Sequence, residues 1–166
     1  MSADAILARL EQLEAVSAIQ ALKARYLTAC DSKDCESFRA CFLDGKVAID
    51  YGPVGQFDNA DALTAVFREF GCQAHMLEWH HASNPQIELL TPERARGSWS
   101  LHYQLINTQD QTLTQLGGEY GDEYRRTEAG WKISATLFVP RTRLFLKLDS
   151  EAVQTLAAGQ PPAEAL

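Results

Sequence analysis

The chain has 166 residues, of which 46% are hydrophobic, and its formal net charge is -7. This length predicts a single domain, and no apolar run reaches the roughly 18 residues of a membrane-spanning helix. Basic residues are scattered among more numerous acids, which argues against nucleic acid or an anionic membrane surface as a partner. No basic region precedes an apolar one near Met1, so a cytoplasmic protein is expected.

The N-terminal part of the sequence predicts helices. Residues 3–30 place apolar side chains at helical spacing without a Gly or Pro, and the turn-forming residues 31–34 follow. A second helix is expected over about residues 35–43, capped by Asp34 or Ser32. A third helical pattern covers residues 59–70 and ends at Gly71.

The other segments predict strands. Residues 46–51 alternate, with Val47, Ile49 and Tyr51 on one face. Longer strands are expected over residues 79–89, 97–104, 113–126 and 131–146, with a turn at 107–111. One face of the first long strand is expected to point inward, and its members are Trp79, His81, Ser83, Ile87 and Leu89.

These elements predict an α+β fold. Helices come first, one crosses between strands, and long strands joined by tight turns end the chain, which is typical of a largely antiparallel sheet. Gly117, Gly118 and Gly121 indicate bends in one strand. We therefore expect a cone-shaped, strongly curved sheet wrapped on the N-terminal helices around a small-molecule pocket. The domain should cover residues 1–148, and residues 149–166 should form a helical turn and a flexible tail.

Several segments resemble scytalone dehydratase, a family of the nuclear-transport-factor-2-like superfamily. They are residues 31–34 (Asp-Ser-Lys-Asp), residues 49–51 (Ile-Asp-Tyr), the strand with His81, the strand with Gly97, and the turn before Trp131. The likeness covers roughly residues 15–147. The wider SnoaL-like group shares Tyr26, Asp31 and His81.

The resemblance implies an enzyme that needs no cofactor. His81 would remove a proton next to a carbonyl group and help a hydroxyl group to leave, while Asp31 orients the imidazole. The substrate would be a small hydrophobic hydroxy-ketone of aromatic or polyketide-like character. Substrate contact or aromatic packing is expected from five residues, Tyr26, Tyr51, Trp99, Tyr103 and Tyr120.

The sequence also departs from the dehydratase pattern. The second tyrosine of the family falls at Cys30, its second pocket histidine at Trp99, and its serine and asparagine at Gly118 and Tyr120. A more apolar pocket follows, so a related carbon-acid reaction is favoured over dehydration of scytalone itself. Two alternatives stay open, namely a non-catalytic small-molecule-binding protein and a small structural subunit of an aromatic-ring dioxygenase.

No metal site is expected. On a strand, His75 and His81 lie on one face while Glu78 and His80 lie on the other, so the four side chains do not converge. The four cysteines form no Cys-x-x-Cys pair and should be free thiols. Small side chains on the outer face of the sheet, with few charges, predict a homo-oligomer, most simply a dimer or a trimer.

Overall fold

Six strands form one mixed sheet, and three α-helices cover its inner face in the computed structural model, which describes residues 2–148. The helices are α1 (Ala3–Asp31), α2 (Cys35–Ala40) and α3 (Ala60–Val66), and α3 continues as a π-helix over Phe67–Gly71. The strands are β1 (Lys46–Asp50), β2 (Gln56–Asn59), β3 (Met76–Thr91), β4 (Arg94–Asn107), β5 (Thr112–Thr127) and β6 (Gly130–Lys147). A short 3-10 turn over Gly52–Val54 joins β1 to β2.

The sheet has the strand order β2-β1-β6-β5-β4-β3 and is open at both edges. β1 runs parallel to β6, and all other neighbours are antiparallel. The predicted α+β fold with a largely antiparallel sheet on N-terminal helices is therefore confirmed. Strand β2 was not predicted, because its four residues follow a Gly/Pro-rich break and are too few to show alternation.

Helix α1 positions the site through its C-terminal half. Ser2 caps its start by accepting a hydrogen bond from the Ala5 amide. From Ala15 onward one face is buried, and Ile19 and Leu22 pack into the main core with Val47 of β1. The helix lies against β3 and β6, so its last residue, Asp31, reaches the inner side of the sheet edge.

The turn after α1 is held by capping bonds. The Asp34 carboxylate accepts hydrogen bonds from the amides of Glu36 and Ser37, which confirms Asp34 as the cap of α2. Lys33 has a φ of 61°, the left-handed conformation that often ends a helix. The backbone turn thereby directs the chain from α1 into α2 within three residues.

A β-bulge in β3 changes which side chains face inward. Ser83 pairs with Ser100 but Gln86 pairs with Ser98, so β3 contains one residue more than β4 over this stretch. The extra residue lies at Asn84, whose φ is 52°. Ahead of the bulge His80 and Ala82 therefore face inward, and after it Ile87 does. The prediction that Trp79 and His81 share the inward face with Ile87 is wrong. It assumed that side chains alternate strictly along residues 79–89, and the bulge interrupts this alternation.

The outer face of the sheet carries more charge than predicted. Ion pairs Glu88–Arg96 and Glu119–Arg141 lie there between neighbouring strands, with nitrogen–oxygen distances of 2.6 and 2.8 Å. Ser98 is exposed on this face as expected. The predicted helical turn and tail over residues 149–166 lie outside the described residues. Among residues 2–148, no helix is both long and apolar enough to cross a membrane.

Candidate active site

A cavity of about 330 Å³ lies between the helices and the inner face of the sheet. Ligand pockets for small molecules start at roughly this size. Most of its wall is apolar, with phenylalanines from α2, the π-helix and β6. A few polar side chains interrupt this wall, and they are Tyr26, Tyr51, Glu78, His80, Tyr103 and Tyr120.

Asp31 and His80 form a hydrogen-bonded pair at this cavity. The Nδ1 atom of His80 lies 2.6 Å from Oδ1 of Asp31, and the backbone amide of His80 donates to both carboxylate oxygens at 3.2 Å. This amide is available because β3 is an edge strand, so its outward N–H groups have no strand partner. The His80 and Asp31 side chains are only 12% and 17% exposed. With Nδ1 on the carboxylate, Nε2 is the nitrogen left for a ligand.

His81, the histidine that the sequence favoured, lies elsewhere. Its side chain is exposed on the outer side of β3, as is that of Trp79 two residues before it. The predicted hydrogen bond between Asp31 and His81 is therefore wrong, and the neighbouring residue His80 makes it instead. The bulge at Asn84 is the physical reason, since it shifts the inward face by one residue.

Glu78 brings a second carboxylate to the cavity wall, two residues before His80 on the same face. It accepts a hydrogen bond from the Tyr103 hydroxyl at 2.7 Å and pairs with Lys33 from the turn after α1. Burial, followed by the Glu78 charge, raises the pKa of Tyr103 well above its usual range. The Tyr103 ring packs against the His80 imidazole, with ring centroids 4.7 Å apart. Glu78 thus fixes an aromatic wall beside His80.

Two tyrosines form a hydroxyl pair elsewhere on the wall. The hydroxyl oxygens of Tyr26 and Tyr51 lie 2.8 Å apart, and Tyr120 contacts both rings edge-on. Burial is the largest cause that raises the pKa values of Tyr26, Tyr51 and Tyr120. One hydroxyl of the Tyr26–Tyr51 pair donates to the other, so a second proton is left for an acceptor nearby.

A buried ion pair lies next to Tyr120, outside the cavity lining. Lys23 donates to Asp122 at 2.9 Å, and Asp122 also accepts from Tyr124 and Thr136. The ammonium of Lys23 lies 3.4 Å from the centre of the Tyr120 ring. Burial lowers the pKa of Lys23 against the opposing effect of Asp122. Neither Lys23 nor Asp122 lines the cavity, so the network orients Tyr120 and does not meet a ligand.

Four of the five aromatic residues predicted for the pocket do line the cavity, namely Tyr26, Tyr51, Tyr103 and Tyr120. Trp99 does not line the cavity and has the packing role instead, because its indole is buried and donates to the Tyr124 hydroxyl at 2.9 Å. Sequence reasoning missed His80 as the partner of Asp31 and missed Glu78 as a wall residue. The signal for both was their shared alternation, which places Glu78 and His80 on one face.

Solved structures with the same fold were found at low sequence identity. A protein assigned as a scytalone dehydratase from Novosphingobium aromaticivorans has a TM-score of 0.74 at 18% identity, covering 90% of this chain and 98% of its own. A hexachlorocyclohexane dehydrochlorinase from Novosphingobium barchaimii has a TM-score of 0.75 at 14% identity, covering 90% and 99%. A protein assigned as an aromatic ring hydroxylase from Novosphingobium aromaticivorans has a TM-score of 0.69 at 22% identity, covering 82% and 96%.

These likenesses show the fold. No curated protein matches the sequence. The family of SnoaL-like domains matches residues 11–136, which include α1 from Glu11 onward, both histidines of β3 and most of the sheet. The match extends over far more than half of the chain, and the chain therefore belongs to the SnoaL-like domain family.

Proposed function

We propose that the chain is a cofactor-free, lyase-type enzyme that acts on a small hydrophobic hydroxy-ketone by acid–base chemistry. The observation that carries this proposal is the Asp31–His80 pair, in which a carboxylate holds Nδ1 of an imidazole whose ring lines an apolar cavity. An imidazole held in one tautomer beside a cavity is suited to act as a general base.

The proposed reaction begins with proton transfer from carbon. His80 Nε2 takes the proton from the carbon next to the carbonyl group, and the electron pair of that bond forms an enolate. Asp31 stabilises the resulting imidazolium through Nδ1–H. The enolate then re-forms the carbonyl group and expels the hydroxyl group from the adjacent carbon. The imidazolium returns its proton to the departing oxygen, so that water leaves and His80 is neutral again.

The enolate oxygen needs hydrogen-bond donors. The Tyr26–Tyr51 pair supplies a candidate, since only one of its two hydroxyl protons lies between the two oxygens. The raised pKa values of both tyrosines keep the hydroxyls protonated at neutral pH. They would therefore stabilise the negative charge by donating hydrogen bonds without giving up the proton.

The names of two structural relatives support this class of reaction. A dehydratase removes water and a dehydrochlorinase removes hydrogen chloride, and both reactions take a proton and a leaving group from one molecule. The apolar and aromatic wall of the cavity favours an aromatic or polyketide-like substrate over a strongly charged one.

Proton exchange at carbon tests the proposal without the natural substrate. A panel of aromatic β-hydroxy-ketones is incubated with the protein in D2O, and nuclear magnetic resonance follows deuterium uptake at the acidic carbon and loss of water. We expect catalysed exchange that disappears in His80→Ala and persists in His81→Ala, since only His80 faces the cavity. Saturable binding of the same ketones without any exchange would instead establish the alternative of a non-catalytic binding protein.

A further inference from the structure

Two cysteines lie close together outside the cavity lining, on elements that contribute other residues to the cavity wall. Cys35 is the first residue of α2, and Cys72 follows the π-helix directly. Their sulfur atoms lie 3.1 Å apart although the residues are 37 positions apart in sequence. Both side chains are half-buried and so remain within reach of a small reagent.

Packing between the two elements holds the thiols in this position. The rings of Phe38 on α2 and Phe67 on the π-helix are stacked, with centroids 4.5 Å apart. The Cys72 amide donates to the Phe67 carbonyl at 2.9 Å, which ties Cys72 to the π-helix. The Asp34 carboxylate caps α2 at the other side of the contact. The packing of α2 against the π-helix therefore holds the two thiols next to each other.

We propose that Cys35 and Cys72 form a reversible disulfide with a small-molecule disulfide, such as oxidised glutathione, as the oxidant. Burial and the neighbouring Cys35 thiol raise the pKa of Cys72 to about 12, which disfavours Cys72 as the first attacking thiolate. The Cys35 thiolate attacks the oxidant and forms a mixed disulfide while one glutathione thiol leaves. Cys72 then loses its proton, attacks the Cys35 sulfur and releases the second glutathione thiol. Two protein thiols are oxidised and one glutathione disulfide is reduced to two thiols.

The bond would join two parts of the cavity wall. Phe38 of α2 and Phe67, Phe70 and Gly71 of the π-helix all line the cavity. A π-helix is a rare conformation that often occurs at functional sites. The Cys35–Cys72 disulfide would restrain this segment, and its reduction would release it. This inference does not depend on whether the cavity is catalytic.

The experiment uses the full chain, which has four cysteines. The number of free thiols per chain should fall from four to two on treatment with oxidised glutathione. Mass spectrometry should show the loss of two hydrogens and a cross-linked peptide that contains Cys35 and Cys72. Amide hydrogen exchange over residues 67–72 should slow at least about fivefold on oxidation and recover with a reductant. Cys41→Ser is the matched control, because Cys41 is buried away from the pair and this variant should still lose two thiols.

Three results would overturn the inference. The first is retention of all four free thiols, and the second is a glutathione adduct that is never displaced by the second cysteine. The third is a cross-link through Cys30 or Cys41. Cys35→Ser and Cys72→Ser should each block the intramolecular bond. The comparison of oxidised with reduced wild-type protein decides the question even where a variant folds poorly.

Discussion

The carboxylate of Asp31 contacts His80 twice, at the ring nitrogen Nδ1 and at the backbone amide. The amide contact fixes where β3 lies against the end of α1, and the ring contact fixes the rotation of the imidazole. Both contacts come from one carboxylate, so the position of His80 and the orientation of its ring are set together. A shift of β3 by one residue would remove both and would bring the outward-facing side chain of a neighbouring residue to Asp31.

Asp31 and His80 should act as a unit. In the proton-exchange assay we expect Asp31→Asn and His80→Ala each to lose about 100-fold or more in rate, since general-base and orienting effects have this size. The double variant should lose little more than either single one, because residues that act together are not additive. His81→Ala is the matched control on the same strand and should retain the wild-type rate. Multiplied losses in the double variant would show that Asp31 and His80 work independently.

The fold was predictable from sequence because its signals are local. Apolar spacing without Gly or Pro marked α1, and alternation marked β4 and β5. The site was predictable only in part. Asp31 lies at the helix end with a histidine partner, but that partner is His80 and not the predicted His81, because the alternation was carried across Asn84 and Pro85, where the bulge lies. The π-helix could not be predicted from the sequence either, because its residues continue the helical spacing of α3.

The Tyr26–Tyr51 pair should matter for rate and for stability. Tyr51→Phe removes one hydroxyl of the pair and leaves its partner without this hydrogen bond. We expect turnover to fall about 100-fold if the pair stabilises the enolate, with a loss of unfolding free energy of about 1 kcal/mol. Kinetics on the responsive ketone and urea denaturation measure the two effects. A loss of stability with an unchanged rate would assign the pair to packing alone.

The buried Lys23–Asp122 pair should be needed for folding. Both side chains are essentially inaccessible, at 1% and 0% exposed. Lys23→Met leaves the Asp122 carboxylate buried without its counter-charge, and we expect a loss of about 3 kcal/mol or more in unfolding free energy by urea denaturation. Glu119→Gln breaks the exposed Glu119–Arg141 pair and serves as the control, with an expected loss below about 1 kcal/mol. Equal losses in the two variants would contradict the special role of the buried pair.

The outer face of the sheet should mediate self-association. Leu137 is 46% exposed there, beside a broad concavity that crosses β1, β4, β5 and β6. We expect light scattering at micromolar concentration to report a dimer or a trimer, and Leu137→Asp to shift it towards the monomer, because a buried unpaired charge weakens an interface. Leu10→Asp is the control, since Leu10 is similarly exposed at 51% on α1. A monomeric wild-type protein would refute the prediction.

Alkaline pH should unfold the protein cooperatively. The pKa of every tyrosine is raised by burial, and the five are Tyr26, Tyr51, Tyr103, Tyr120 and Tyr124. Tyrosines in the unfolded chain ionise at about pH 10, where the folded chain still retains these protons. The folded state then binds more protons than the unfolded state, so stability falls as the pH rises past this point.

Lys23 acts in the opposite direction, because its pKa is lowered. The unfolded chain binds this proton more tightly, so this single group adds stability as pH rises towards the usual lysine range. At higher pH the five tyrosines together change the free energy of unfolding more than Lys23 does. Urea midpoints measured from neutral to strongly alkaline pH should therefore decline, and phenolate absorbance should rise together with the loss of circular dichroism. Tyr103→Phe should make the decline shallower, because it removes one of the groups whose proton the folded state retains. Phenolate absorbance that appears while the circular dichroism is still native would show that the tyrosines are accessible in the folded protein.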